Sequence, residues 1–490
     1  MTKFTRRDFI RSSMAVGAGL AIAGPASRVL GANNDIRLAV VGVGSQGSGH
    51  MGYFSKIPGV RLVAICDADK AHLENRAADF EKKNNVKLKT YTDVRKLLDD
   101  KEIDVITSAT PNHWHALVTV WACQAGKDVY IEKPACHEIW EGRKMVEAAR
   151  KYNRIVQVGT QKRSSEAHKE GFAWIREGNI GKIKWVRGFC YKGRGPGTNG
   201  IVKGTNGPIP VPAGVDYNLW CGPAEMMPLQ RTDLHYVWHL VWNTGNGDIG
   251  NQGPHEMDIA RWALGDPGLP TRAFSIGGRF GVGDAGETAN TQIAFFDYKP
   301  APLIFEVRGL PSKKGDKAMD NFRRTGVDIG DFVQCEGGYF PTGDGGGWVF
   351  DNNGKKIKQF SGRGGEGHHE NFIKAVRSRN RSDQNADIEV GHLSAALVHM
   401  ANTSYRLGKK MTVEEIKTAI GDNAEMMDSF NRMLEHLAAN EVDLEKEPIT
   451  MGPIVTMDPE KEQYVGEYSE MANMFLKRNY REPFVVPDQV

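Results

Sequence analysis

The chain has 490 residues, with 63 Lys and Arg against 60 Asp and Glu, a formal net charge of +3. This near-neutral balance argues against nucleic acid as the main partner, because phosphate binding requires a clear basic excess. With 40% hydrophobic and 25% charged residues, the composition is that of a folded protein of two or three domains, and it excludes a disordered chain.

Residues 1–32 have the layout of an export signal. A basic start is followed by an apolar run over residues 14–23 and by small residues up to Ala32. That run is too short to span a bilayer, so we expect no stable membrane span. The pair Arg6 and Arg7 resembles a twin-arginine signal, which predicts a periplasmic location and the twin-arginine export machinery as a partner. The alternative is a disordered basic terminus. The segment carries a charge of +4, which leaves −1 on residues 33–490.

The sequence from Ile36 to Asp67 has the order strand, glycine-rich turn, helix, strand and acid. Gly42 permits the tight turn, Gly44 lets the backbone approach a pyrophosphate, and Gly47 lets the helix pack closely on the strand. Asp67 lies about twenty residues past Gly47, the spacing of the acid that binds the adenosine ribose hydroxyls. Its carboxylate would repel a 2′-phosphate, so we predict NAD as the cofactor and regard NADP as the weaker alternative.

Strands and helices continue to alternate after Asp67. Strands are predicted at residues 104–109, 128–131 and 155–158, with helices at 113–125 and 138–151 between them. This repetition predicts a doubly wound parallel sheet, in which ligands bind at the carboxyl ends of the strands. Two motifs fall at those ends: Thr110-Pro111-Asn112-His113-x-His115 and Glu132-Lys133-Pro134.

These motifs together resemble the Gfo/Idh/MocA oxidoreductase family. Further matches are Val158-Gly-Thr-Gln161 and Gly253-x-His255-x-x-Asp258, and the resemblance runs from about residue 35 to 410. It implies an α/β fold, with an N-terminal Rossmann domain and a C-terminal α/β domain that has an open, mostly antiparallel sheet. It also implies hydride transfer between NAD(P) and a sugar or cyclitol carbon.

The resemblance assigns roles to individual residues. Lys133 matches the family's catalytic lysine, and a lysine at a strand end can hydrogen-bond a developing alkoxide. Cofactor binding is assigned to Gly42, Gly44, Gly47, Asp67, Thr110, Pro111, Asn112, His115, Glu132 and Lys133.

The second domain carries the predicted substrate residues. The family often has Asp-x-Gly-x-His-x-x-Asp, and here Asn251 stands where the first acid is expected while His255 is retained. Asn cannot take a proton, so we predict His255 as the base, with Asn251 and Gln161 contacting substrate. Asp258 opens a predicted helix at residues 257–264 and is expected to be a structural partner.

The rest of the second half alternates strands and turns. Strands are predicted at residues 182–190, 271–276, 291–296 and 303–308, and helices at 368–377 and 391–408, with a long loop at 195–212. Of five aromatic residues, we expect one or two to contact substrate and the others to be core: Trp220, Tyr236, Trp238, Trp242 and Trp262. His235 and His239 are spaced as a metal pair on a helix, but no acid lies between them, and we predict no metal.

Six cysteines have no paired spacing, so we expect small core residues and not a disulfide framework. We divide the chain into a signal at 1–32, a Rossmann domain at 33–155, a substrate and oligomerisation domain at 156–411 and an extension at 412–490. The extension either wraps the domains or a neighbouring subunit, or is flexible. The family resemblance suggests a homo-oligomer formed through the open sheet.

Three functions stay open at this point. The first is an oxidoreductase acting on a carbohydrate CH–OH, its cofactor tightly held because free nicotinamide cofactor is scarce in the periplasm. The second is redox-assisted glycoside cleavage, in which transient oxidation of a sugar carbon acidifies the neighbouring C–H and allows elimination. The third is a non-catalytic sugar-binding protein built on the fold.

Overall fold

The computed structural model describes residues 35–194, 198 and 200–490. The predicted export signal lies outside the described residues, as do residues 195–197 and 199 of the predicted long loop. In the part that is described, no helix is both long enough and apolar enough to cross a membrane.

The first sheet is parallel and doubly wound, as predicted, with strand order β3-β2-β1-β4-β5-β6. Its strands are β1 (Ile36–Val41), β2 (Val60–Cys66), β3 (Lys89–Tyr91), β4 (Val105–Ser108), β5 (Asp128–Ile131) and β6 (Val156–Val158). The helices of this domain are α1 (Ser45–Phe54), α2 (Lys70–Asn84), α3 (Val94–Asp99), α4 (His115–Gln124) and α5 (Ile139–Lys151). The strand order reverses beside β1, and ligands of such sheets bind at that point.

The second sheet is mixed and mostly antiparallel, with the order β14-β13-β12-β11-β7-β10-β9-β8-β16-β15 and with β17 and β18 joined to β8. Only the pairing of β7 with β10 is parallel among its described strand pairs. Its strands are β7 (Ile183–Tyr191), β8 (Arg272–Gly278), β9 (Thr291–Phe296), β10 (Leu303–Arg308), β11 (Ile329–Cys335), β12 (Gly338–Thr342), β13 (Gly346–Asp351), β14 (Lys356–Ser361), β15 (Lys409–Lys410), β16 (Thr450–Met451), β17 (Val455–Asp458) and β18 (Gln463–Val465).

The helices of the second half are α6 (Glu166–Arg176), α7 (Tyr217–Cys221), α8 (Gly247–Ala263), α9 (His368–Ser378), α10 (Ile388–Arg406), α11 (Val413–Ile420), α12 (Ala424–Ala439) and α13 (Ser469–Asn473). Short 3-10 turns lie at Asn112–Trp114, Gln161–Ser164, Val237–Leu240, Phe322–Arg324 and Arg381–Asp383. The described cysteines are free and buried, as predicted.

The extension packs on the second sheet and covers one of its faces. Side chains alternate along a strand, so Ala294 and Phe296 of β9 join the core that contains α8 and α10, while Ile293 packs on the opposite face. On that opposite face, Met426 and Phe430 of α12 lie in the same hydrophobic cluster as Ile293. The extension therefore wraps the second domain, and the flexible alternative is wrong for these residues.

A buried ionic cluster ties α12 to the same face. Glu306 of β10 accepts hydrogen bonds from the Tyr191 hydroxyl at 2.7 Å, the Ser429 hydroxyl at 2.9 Å and Arg432 Nη1 at 3.0 Å. Burial raises the pKa of Glu306, but the neighbouring guanidinium groups outweigh burial and lower it. Removing Glu306 would take a partner carboxylate from the buried Arg187 and from Arg432, which would weaken the contact between α12 and the sheet.

Helix α8 is longer than the sequence predicts. It spans Gly247–Ala263, whereas the predicted helix begins only at residue 257, because Pro254 and three nearby glycines read as loop. Asp258 consequently lies within the helix and does not open it. Its predicted structural role is confirmed, since its Oδ2 accepts a hydrogen bond from Arg163 Nε at 2.7 Å.

Candidate functional site

A cavity of about 920 Å³ opens at the carboxyl ends of β1, β2, β4 and β5 and continues to α8 of the second domain. Its lining includes most of the predicted site residues: Gly42, Gly44, Asp67, Thr110, Pro111, Asn112, Glu132, Lys133, Gln161, Asn251 and His255. Two predicted cofactor residues, Gly47 and His115, do not line it. The cavity thus unites motifs that are more than 200 residues apart in the chain.

The glycine loop leaves room for a diphosphate at one wall of the cavity. Gly42 has φ +77°, and a Cβ on Gly47 would stand 1.8 Å from the Gly42 carbonyl oxygen, so Gly47 serves the close packing of α1. Nothing lies within 4 Å of the place where a Gly44 Cβ would stand. Helix α1 begins at Ser45 without a side-chain cap, and its free N–H groups suit an anion.

Asp67 is held at the end of β2 by two backbone donors. Its Oδ2 accepts from the Val43 N–H at 2.8 Å and its Oδ1 from the Asp69 N–H at 2.9 Å. Burial raises the pKa of Asp67, while these two hydrogen bonds act to lower it. The carboxylate faces the cavity next to the glycine loop, which is the arrangement required to bind ribose hydroxyls.

His115 joins the two loops of the cavity from beneath it. Its Nδ1 lies 2.7 Å from the Pro134 carbonyl oxygen and its Nε2 lies 2.8 Å from that of Thr110. The ring is buried, so its role is to hold the Thr110 and Lys133 loops together. The family resemblance assigns His115 to cofactor binding, but the side chain does not line the cavity and supports its loops from behind.

Glu132 connects helix α1 to the catalytic loop. Its Oε1 accepts from Gln46 Nε2 at 2.9 Å and lies 3.0 Å from His50 Nε2, while its Oε2 accepts from the Lys133 N–H at 3.3 Å. Burial raises the pKa of Glu132, but the hydrogen bond with His50 and the charge of Lys133 help to bring it down to about 2. His50 is not identified from the sequence, because this residue of α1 belongs to no recognisable motif.

Lys133 reaches across the cavity to α8. Its Nζ donates to the carbonyl oxygen of Asn251 at 2.6 Å and to the Oδ1 of Asn251 at 3.1 Å. Burial lowers the pKa of Lys133 and Glu132 acts to raise it, while Lys192 and Arg194 lower it further. The predicted substrate residue Asn251 therefore orients the lysine.

His255 lies one helical turn after Asn251 and faces the same cavity. Its Nδ1 is buried and has no hydrogen-bond partner among the described residues. Burial, together with the positive charges of Lys133 and Lys162, lowers the pKa of His255 well below its ordinary value. The ring is consequently neutral near pH 7 and free to accept a proton.

A turn from the second domain brings to the cavity two of the five aromatic residues from which one or two substrate contacts are predicted, together with His239, which the predicted site does not include. Tyr236 has φ +63° and ψ −57°, and the Val237 N–H donates to the His235 carbonyl oxygen at 2.8 Å, which makes a strained γ-turn. Tyr236, Trp238 and His239 line the cavity. The cluster of aromatic residues between 217 and 262 was the only sequence signal for this turn.

Arg194 fixes the Tyr236 turn from outside. Its Nη1 donates to the Tyr236 hydroxyl at 2.9 Å, and its Nε donates to Asp248 Oδ1 at 2.6 Å. The Tyr236 hydroxyl keeps its own proton for a further acceptor, because arginine can only donate. This end of the cavity thus presents a hydroxyl, an imidazole and an indole to a ligand.

His235 and His239, whose spacing is that of a metal pair on a helix, have different partners in the structure. His235 Nε2 lies 2.9 Å from Asp69 Oδ2, whereas His239 Nδ1 faces the Tyr236 carbonyl oxygen. Among the described residues, the ligand atoms of Asp69, His72 and His235 do lie within 4.8 Å of one another.

Two family models match the chain. The model described as the oxidoreductase family, NAD-binding Rossmann fold, matches residues 36–160. The model described as the oxidoreductase family, C-terminal alpha/beta domain, matches residues 182–275. Both belong to the Gfo/Idh/MocA group, and they account for the first sheet and the start of the second.

Curated relatives resemble part of the chain. Glycosyl hydrolase family 109 protein 2 of Shewanella sp. (strain ANA-3) is 30% identical over 166 residues, which covers 29% of this chain and 36% of that protein. Inositol 2-dehydrogenase of Salmonella typhimurium (strain LT2) is 31% identical over 158 residues, which covers 32% of this chain and 46% of that protein. The chain therefore matches less than half the length of either relative.

Solved structures share the fold over more of the chain. The WlbA dehydrogenase from Bordetella pertussis, in complex with NADH and UDP-GlcNAcA, has a TM-score of 0.53 at 18% identity and covers 76% of this chain and 97% of that chain. The aldose-aldose oxidoreductase from Caulobacter crescentus, complexed with glycerol, has a TM-score of 0.52 at 14% identity and covers 74% and 95%. At these identities the likeness shows the fold alone.

Proposed function

We propose that the chain is a member of the Gfo/Idh/MocA oxidoreductase family, whose NAD-binding Rossmann model matches residues 36–160 and whose C-terminal model matches residues 182–275. From this premise we propose that it transfers hydride between a tightly bound nicotinamide cofactor and a sugar or cyclitol carbon. The observation that carries the proposal is the single cavity in which the glycine loop, Asp67, Lys133 and His255 meet.

The residues of the first domain fit NAD. Gly42, Gly44 and the start of α1 would hold the diphosphate, Asp67 the ribose hydroxyls, and Thr110 with Lys133 the nicotinamide side. When bound, NAD supplies a hydride acceptor to the reacting carbon. The Asp67 carboxylate supports the choice of NAD over NADP, because it would repel a 2′-phosphate.

The second domain supplies the acid–base chemistry. His255 is neutral and takes the proton from the substrate hydroxyl as that carbon is oxidised. Lys133, oriented by Asn251, donates a hydrogen bond to the developing alkoxide. Because Asn251 has no acidic proton, it holds the lysine and leaves the proton transfer to His255.

A carbohydrate fits the opposite wall of the cavity. Trp238 and Tyr236 offer aromatic faces that suit the C–H faces of a sugar ring, and Gln161 offers an amide to its hydroxyls. The similarity to inositol 2-dehydrogenase of Salmonella typhimurium, 31% identical over 158 residues, supports a polyol class of substrate.

The proposal is tested by a screen of sugars, cyclitols and glycosides against purified protein with no NAD added. We expect one class to produce the absorbance of bound reduced nicotinamide, and Lys133→Ala to abolish it. If no sugar reduces the bound cofactor and Lys133→Ala binds every ligand as the wild type does, the chain is a sugar-binding protein and the proposal is wrong.

Redox-assisted glycoside cleavage is the second candidate, favoured by Asn251 in place of an acid and by the similarity to glycosyl hydrolase family 109 proteins. In this scheme, oxidation of one sugar carbon acidifies the adjacent C–H, a base removes that proton, and the glycosidic group leaves. Water then adds to the ring, and the carbonyl is reduced again. Release of free sugar from a glycoside without net formation of NADH would distinguish it from simple dehydrogenation.

We also propose that the chain is exported to the periplasm by the twin-arginine route. Arg6 and Arg7 support this, because the pair precedes a short apolar run. Replacement of both residues by Lys should leave the protein in the cytoplasmic fraction, while the wild type is recovered from the periplasm. Periplasmic recovery of the Lys variant would contradict this route.

A further inference from the structure

A segment of the second domain lies across the adenosine half of the cavity. We name residues 204–240, which lie between β7 and α8, the strap. Its first contact is with the loop that follows β2: the Lys70 N–H donates to the Gly214 carbonyl oxygen at 3.1 Å, and the Asp216 N–H donates to that of Ala68 at 2.9 Å. The strap is therefore bonded to the residues directly after Asp67.

The strap's second contact is with the loop that follows β4. Trp114 Nε1 donates to the carbonyl oxygens of Leu219 and Trp220, each at 3.1 Å. A Cβ on Gly222 would stand 2.2 Å from the Trp114 ring, so only glycine allows this approach. Leu219 and Trp220 line the cavity, and the strap thus forms a wall over the space between the two loops.

His235 fastens the end of the strap beside Asp67. Its Nε2 pairs with Asp69 Oδ2 at 2.9 Å, and its ring lies 4.4 Å from that of His72, centroid to centroid. His72 Nδ1 is 4.0 Å from Asp67 Oδ2. Both imidazoles line the cavity, so a nucleoside whose ribose is bound by Asp67 would lie against them.

We propose that His235 and His72 are binding residues for the adenosine half of the cofactor, and that the dinucleotide exchanges only when the His235–Asp69 pair opens. This rests on the proposed function, because it concerns the same bound NAD. The two imidazole rings, tilted by 35° to one another, offer an aromatic surface to the nucleoside, and the strap explains how the chain retains its cofactor between turnovers. No glycine or acid motif in the sequence marks these two histidines.

The test measures the rate at which bound NADH leaves the intact protein. NADH bound near Trp114 and Trp220 is detected by energy transfer from tryptophan, and an excess of NAD+ displaces it. We expect the rate to rise about fivefold in His235→Ala and in Asp69→Asn, the latter because Asn keeps the helix cap but loses the charge. The double variant should be no faster than His235→Ala, because without the His235 ring the charge of Asp69 has no partner on the strap to hold.

Asp233→Ala is the matched control, since Asp233 is exposed on the same strap and does not line the cavity. Its dissociation rate should equal that of the wild type. Equal rates in wild type and His235→Ala, with NADH bound in both, would overturn the strap proposal and leave the proposed function intact. A wild type that binds no nucleotide would overturn both. Metal analysis that finds one equivalent of a divalent ion, lost in His235→Ala, would assign Asp69, His72 and His235 to a cation and overturn the proposal.

Discussion

The two halves of the cavity are constructed in different ways. In the cofactor half, residues 36–67 form one continuous βαβ segment, and its chemistry comes from backbone N–H groups, a turn glycine and one acid. In the reacting half, side chains from the loop after β5, the Tyr236 turn and α8 converge from positions far apart in the chain. A short motif therefore suffices to identify the first half, whereas the second depends on the tertiary fold. We therefore expect mutations in the first half to impair cofactor binding and mutations in the second half to impair turnover.

The substitution expected to separate the functions of the two halves most clearly is Lys133→Ala. The side chain lies in the reacting half and donates to Asn251, so kcat should fall about 1,000-fold. The contacts to the diphosphate and the adenosine ribose remain, so most of the nucleotide should stay bound. Steady-state kinetics and the nucleotide content of the purified variant check this. Lys144→Ala is the control, because Lys144 pairs with Glu147 on α5 and does not line the cavity. Loss of nucleotide together with activity would contradict the separation.

Gly47→Ala should damage the cofactor half instead. The new Cβ would stand 1.8 Å from the Gly42 carbonyl oxygen, so the glycine loop must shift. Overpacking of this kind costs roughly 1–3 kcal/mol, and we expect NAD affinity to fall about 10- to 100-fold in a titration of nucleotide-free protein. Gly52→Ala on the same helix has nothing within 4 Å of its new Cβ and should bind NAD normally. Equal affinities for the two variants would show that the close packing is not needed.

We expect Asp67→Ser to alter the preference between NAD and NADP without abolishing the reaction. Removing the carboxylate removes its repulsion of a 2′-phosphate, so the preference for NAD over NADP should fall about tenfold. Competition between the two dinucleotides for the purified protein measures the ratio. A preference that stays at the wild-type value would mean that another group selects the cofactor.

The smallest predicted effect is on the pH dependence of kcat/KM. Burial and nearby cations lower the pKa of His255, and the neutral ring is the active form. The rate should therefore be constant through neutrality and decline only as the pH falls through this lowered pKa, below the ordinary histidine value of about 6.5. His255→Asn should remove this acid limb along with most of the activity. A midpoint at or above about 6.5 would show that His255 is not desolvated as the structure has it.

Much of the cofactor half was predictable from local patterns. β1, β5 and the glycine turn stand at their predicted residues, because continuous apolar runs and turn glycines report directly on buried parallel strands. In the reacting half, Lys133, Asn251 and His255 were identified from the family resemblance. The shared helix of Asn251 and His255 was hidden by Pro254, which interrupts the helical pattern.

The residues that escaped prediction depend on contacts between distant segments. His50 matters because the Glu132 carboxylate lies beside it, and His235 because Asp69 does, and neither partner is within 80 residues in sequence. The wrapping of α12 over the second sheet depends in the same way on Glu306 and its arginine partners. No pattern along the sequence reports such pairs.

Intact-complex mass spectrometry of the protein as purified tests the central claim most directly. The cavity and the strap predict one NAD per chain, retained without added cofactor and released on denaturation. Recovery of the chain with no dinucleotide, and no binding when NAD is supplied, would contradict the account.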